Sequence, residues 1–191
     1  MPLVLILLLT LLTAAAHAGE PARVIAADFV QTRRLAGMDM AVEITGSMVF
    51  ERGGRLRWQV DAPVRSVTVI EPDKLTHFDG ETGKLAVVPK TAFPWLKLLR
   101  DSLDDWLSGD RLRLSGKFET ASPERGVLAL TPRDPEIRKL YRRAVIRFAP
   151  DGETVDSVRI EEPSGDVLTI EFFQVRKDPV LPATIWRMPP E

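Results

Sequence analysis

The chain has 191 residues, 26 basic and 27 acidic side chains, no cysteine and two histidines. A net charge near zero gives no electrostatic reason to expect nucleic acid or an anionic membrane as partner, and the missing cysteines with so few histidines remove thiol catalysis and most zinc geometries. Stability must therefore come from an apolar core, which a chain of this length can build without disulfides.

Taken from the start, Pro2 to Leu12 are apolar except for Thr10, and Ala14, Ala15 and Ala16 lead to Ala16-His17-Ala18. This reads as a cleavable signal peptide over residues 1–18, cut after Ala18. The run is shorter than the ~20 residues of a membrane-spanning helix. No Lys or Arg precedes it, and a lipid-modified start is excluded for want of a cysteine. Residues 19–191 are then expected to form one exported domain.

From Val42 onward, apolar and polar residues alternate, the period of half-buried strands. Val42, Ile44, Met48 and Phe50 share one face against Glu43, Thr45, Ser47 and Glu51. Leu56, Trp58 and Val60 continue that face beyond Gly53-Gly54, so the pair reads as a hairpin. Further strands are expected at 66–70, 85–88, 111–114, 127–130, 145–148, 157–161 and 167–175. Their turns are marked by Pro72-Asp73, Gly80, Gly83, Gly126, Asp151-Gly152 and Pro163-Ser164-Gly165. The expected fold is mainly β: one curved antiparallel meander, with a concave apolar face.

Two stretches break the pattern. From Pro94 to Ser108, the set Trp95, Leu98, Leu99, Leu103, Trp106 and Leu107 recurs at helical spacing. A shorter helix is expected behind Asp134 as cap and Pro135 at its first position, with Ile137, Leu140, Tyr141 and Ala144 on one side and Arg138, Lys139, Arg142 and Arg143 on the other. Neither has a helical partner, so both should lie on the sheet as lids. The basic run Arg138 to Arg143 reads as a solvated face, with a docking surface as the alternative.

Catalytic chemistry is not indicated. His77 reads as a strand-end or turn residue, the neighbouring carboxylates point to different sides, and no phosphate loop, nucleophile elbow or zinc motif is found. No cofactor or metal is expected. Trp58, Trp95, Trp106 and Trp186 read as core, or as lining of an acyl-binding cavity.

Gly46-Ser47-Met48-Val49-Phe50-Glu51-Arg52, then Leu56-Arg57-Trp58 and Pro63, resemble the LolA family of lipoprotein carriers, with its glycine, strand, Arg and Trp-bearing strand. Phe29-Val30-Gln31 is similar to the family's F-x-Q strand and Leu130-Thr131-Pro132 to its L-T-P element. The hairpin at Gly165-Asp166, followed by Ile170, Phe172 and Phe173, also fits. The resemblance implies an incomplete β-barrel with short helices as a lid over an apolar cavity. The cavity residues would be Val42, Ile44, Met48, Phe50, Leu56, Trp58, Val60, Trp95, Leu98, Leu99 and Trp106.

The resemblance further implies a monomeric periplasmic carrier that takes acylated lipoproteins or lipids from an inner-membrane transporter to an outer-membrane acceptor. Arg52 would latch the lid through backbone carbonyls, as a five-donor guanidinium can; read without the family, it is an Arg at a hairpin mouth beside a surface carboxylate. Gly53 stands where the family usually has Pro, and the first lid helix and the C-terminal extension are expected to be truncated. Two alternatives stay open: a carrier of glycolipid or aryl-polyene lipid working with an MMPL-type exporter, and a lipid-sensing or interaction module.

Overall fold

The computed structural model describes residues 22–72, 74–88 and 115–188. Six strands come first: β1 (Val24–Arg34), β2 (Ala41–Glu51), β3 (Arg55–Ala62), β4 (Ser66–Ile70), β5 (Leu75–Asp79) and β6 (Lys84–Val88). Helical residues 115–117 lead into β7 (Phe118–Ala121), followed by β8 (Val127–Pro132), the one-turn helix α1 (Pro135–Arg138), β9 (Arg143–Phe148), β10 (Val155–Glu161) and β11 (Val167–Lys177). No helix among the described residues is long and apolar enough to cross a membrane.

All strands join one open antiparallel sheet in the order β6-β5-β4-β3-β2-β1-β11-β10-β9-β8-β7. The fold is thus the expected mainly-β, unclosed sheet, but it is not a single meander. Two meanders meet where the first strand pairs with the last, Phe29 opposite Phe172 and Gln31 opposite Ile170. β6 and β7, consecutive among the described strands, form the two outer edges.

Strand alternation sends one set of side chains to a buried inner face. Opposite Phe29 lies Gly46, opposite Met48 lies Trp58, and opposite Phe50 lies Leu56. The set continues through Ile70 and Leu75 on one side, and through Ile170, Val158 and Ile146 on the other. The expected strands are present wherever they fall on described residues; the strand at 111–114 and the helix at 94–108 lie outside them.

β5 escapes a period-2 reading because its apolar residues fall on both faces. Leu75 is buried with the inner set, whereas Phe78 pairs with Val67 and Leu85 on the outer one. This corrects His77: it is neither strand end nor turn but the centre of β5, its Nδ1 2.9 Å from Thr68 Oγ1 on β4. Burial holds its pKa below the ordinary value, partly offset by Asp79.

The second helix starts as expected, with the Asp134 carboxylate accepting from Glu136 N–H at 2.8 Å and Pro135 next. It stops at Arg138 instead of continuing to Ala144. Arg142 N–H donates to Glu161 O at 2.7 Å and the β9–β10 ladder begins at once. Pairing with β10 sets Ala144 opposite Ile160, so the strand outcompetes further helical turns. Arg143 and Ala144 therefore belong to β9.

Gly53 adopts φ +75° in the β2–β3 turn. Proline is confined to φ near −65°, so the residue the family prefers cannot occupy this turn geometry. Gly53→Ala should cost about 1 kcal/mol and Gly53→Pro about 3 kcal/mol or more. Urea midpoints of the two variants check that order, and equal midpoints would refute it.

The β9–β10 turn is tied by Asp151, whose carboxylate accepts from the Thr154 hydroxyl and from the backbone N–H groups of Thr154 and Glu153, at 2.8 and 2.9 Å. These bonds, the hydroxyl first, lower its pKa to about 2. A depressed carboxylate contributes stability that is complete above its ordinary value, 3.8, and is lost as pH falls from there toward about 2. Asp151→Ala should lower the melting temperature at neutral pH slightly and flatten its dependence on pH in that window, as read by thermal melts.

Candidate functional site

The inner face is one contiguous apolar cluster running from Leu75 on β5, through Phe50, Trp58 and Phe29, to Ile170, Ile146, Leu130 and Phe118. The expected cavity residues divide within it. Met48, Phe50, Leu56 and Trp58 are almost wholly enclosed and belong to this core. Ile44 and Val60 are partly buried against it, while Val42, at the end of β2, is 47% exposed. Trp95, Leu98, Leu99 and Trp106 lie outside the described residues.

Gly46 explains how the aromatic centre fits. The Phe29 ring lies across it and stacks on Trp58, centroids 3.8 Å apart at 24°. A Cβ at Gly46 would sit 1.9 Å from Gln59 O and 2.8 Å from Phe29 Cζ. The glycine therefore leaves the space that the stacked pair fills. Beside it on the inner face, Gln31 Oε1 is buried with no hydrogen-bond partner among the described residues. An unmet buried acceptor costs about 1–3 kcal/mol, so a donor arriving with a ligand would be favoured here.

Arg52 occupies the β2–β3 turn, half-buried, with its backbone N–H donated to Arg23 O at 2.8 Å. The outer face is built differently. Arg55 bonds Glu51 through Nε at 2.9 Å and lies 4.3 Å over the Trp186 ring, while Arg57 Nη1 donates to Arg187 O at 3.1 Å. The chain end thus straps the back of β3, and burial lowers the Arg57 pKa. Trp186 accordingly packs on the face opposite Trp58. A shallow outer depression is lined by Arg57, Gln59, Arg65, Val67 and Phe78, a mixed polar and apolar setting.

At the end of the sheet away from Arg52, Arg33 Nη2 contacts Glu162 Oε2 and Asp166 Oδ2, both at 2.9 Å, and Asp166 Oδ1 accepts from Ala36 N–H. The network ties the β1–β2 turn to the β10–β11 turn. It raises the Arg33 pKa, chiefly through Asp166, and lowers that of Asp166, chiefly through the Ala36 N–H.

Residues from the second meander, such as Leu130, Ile146, Ile160 and Ile170, were not anticipated as part of the site. Each lies in an alternating stretch, so its strand face was readable. Their merger with Phe50 and Trp58 depends on β1 pairing with β11, across more than a hundred residues of chain.

Among known proteins, the profile of the family described as "Outer membrane lipoprotein carrier protein LolA" matches residues 20–188. An outer-membrane lipoprotein carrier protein of Legionella pneumophila (strain Corby) is 22% identical over 147 residues, covering 76% of this chain and 69% of that one. The protein of the same name from Pseudomonas entomophila (strain L48) is 27% identical over 177 residues, covering 86% and 77%. The crystal structure of a DUF1329 family protein from Desulfovibrio piger superposes with a TM-score of 0.52 at 12% identity, covering 88% of this chain and 91% of that one, a likeness of fold.

Proposed function

The chain belongs to the LolA family of outer-membrane lipoprotein carrier proteins, and from that membership we propose that it carries the acyl chains of lipoproteins or related lipids on its inner apolar face. The family is one of carriers, not of enzymes. The supporting observation is the contiguous apolar cluster that crosses both meanders. Each acyl methylene moved from water onto such a surface is worth ~0.8 kcal/mol, so a few chains bind well without polar recognition.

Residues 1–18 would direct the chain to the periplasm and be removed there, leaving 19–191 as the carrier. It would receive cargo from an inner-membrane transporter and yield it to an outer-membrane acceptor. Because Phe50, Leu56 and Trp58 are enclosed, cargo must displace contacts already made. We assign Val60 and Ile44, both partly buried, and Val42, 47% exposed, to its entry side, and the apolar segment 94–108 to its cover. Arg52 is the proposed latch on that cover.

Lipid extraction and mass spectrometry of protein purified from periplasm should recover acylated peptide or diacyl lipid. Recovery of none would refute the reading, and a glycolipid would redefine the cargo. Arg52→Leu should leave the melting temperature within ~2 °C while changing the exchange rate of a fluorescent acyl probe severalfold. A large fall in melting temperature with unchanged exchange would make Arg52 a structural hairpin residue.

A further inference from the structure

The two ends of the sheet differ in chemistry. One gathers the turns 35–40, 63–65, 80–83, 133–142 and 162–166; the other gathers 52–54, 71–74, 122–126 and 149–154. Among the described residues, the exposed large apolar side chains include Met38, Met40, Val64 and Leu140 in turns of the first end, whereas the second end has only Val180, in the segment after β11.

Leu140 is the most informative of them. The backbone N–H groups of Leu140 and Tyr141 both reach Ile137 O, at 2.9 and 3.2 Å. Tyr141 is fully enclosed in the core and Ile137 packs against it, which leaves Leu140 fixed outward, 48% exposed. An ordered turn holds this leucine in water. Around it, residues 133–143 carry five cations against two carboxylates, whereas the other turns of this end carry Arg65 against Asp39, Glu81, Glu162 and Asp166, the last two held by Arg33. Lys139 is neutralised by Glu136 at 2.6 Å and Arg138 is turned to Pro132 O at 2.7 Å. Arg142 and Arg143 are exposed, and no ion pair to either is found among the described residues.

We propose that this end of the sheet docks on an anionic phospholipid surface, with Arg142 and Arg143 meeting headgroup phosphates and Leu140 and Met38 entering the boundary below them. Guanidinium groups beside an isolated outward leucine suit a surface that is charged above and apolar a few ångströms down. The apolar side chains stand on separate turns rather than in one continuous patch, which favours insertion at several points over packing against a protein face. Docking here is independent of which cargo the inner face holds.

The full mature chain should co-float with vesicles of phosphatidylglycerol and phosphatidylcholine in equal parts, weaken as salt is raised, and fail to co-float with pure phosphatidylcholine. Arg142→Glu with Arg143→Glu should lower that binding about tenfold or more, and Leu140→Ser severalfold. Both variants should take up a soluble acyl probe, without vesicles, as the parent does. Absence of vesicle binding, which would leave the cations for an acidic protein, overturns the proposal; so does parental binding by the charge-reversed variant, or a parallel loss of probe uptake. Loss of probe uptake by the parent with vesicle binding intact would count against the carrier function alone.

Discussion

Truncating Trp58 to alanine is expected to lower stability by about 4 kcal/mol, a fall in melting temperature of roughly 10 °C or more for a domain of this size. Trp58 is 2% exposed, its ring stacks on Phe29, and it stands opposite both Met48 on β2 and Thr68 on β4. Removing it empties a volume that strands on both sides help enclose, and backbone ladders there prevent collapse into the gap. Trp58→Phe, which keeps an aromatic partner for Phe29, should lose less than half as much. Thermal melts and acyl-probe titration on the same samples separate the two readings of this residue. A drop in melting temperature identifies it as core; an unchanged melting temperature with enlarged probe capacity would make it a wall of an open cavity.

Gly46→Ala should be nearly as damaging, at about 3 kcal/mol or roughly 6 to 12 °C in melting temperature. The closest atom to the added methyl group would be a backbone oxygen, Gln59 O at 1.9 Å, and the next the tip of the Phe29 ring at 2.8 Å. A side-chain tip can move aside, but the β3 backbone is held by its ladders to β2 and β4. Shortening the ring should therefore fail to rescue: Gly46→Ala with Phe29→Leu is expected to be less stable than Gly46→Ala alone. Recovery in the double variant would show that the ring, not the strand, limits the space.

The inner face is legible in the first hairpin because Met48, Phe50, Leu56 and Trp58 recur at period 2, with polar neighbours everywhere but Val49. Its limits are not. Val42 continues the same alternation, yet it lies at the strand end and is half exposed, since periodicity fixes a side and says nothing about distance along it. Ala144 was placed on a helix by its spacing from Ile137 and Tyr141, and pairing with Ile160 took it into β9. His77 reads as a strand end or turn because β5 has apolar residues on both faces, which cancels the period.

Local chemistry determined the strands and turns of this chain, from the period-2 faces to the glycines and prolines at the tight reversals and the Asp134-Pro135 helix start. The sequence holds no cysteine and no zinc motif, and its short motifs point to the carrier family. Tertiary structure alone decided that β1 closes against β11, making one inner face from two meanders, and that Leu140 is held outward beside the exposed Arg142 and Arg143. Both depend on contacts between residues far apart in the chain, and periodicity within a strand carries no information about which distant strand will complete its hydrogen bonds.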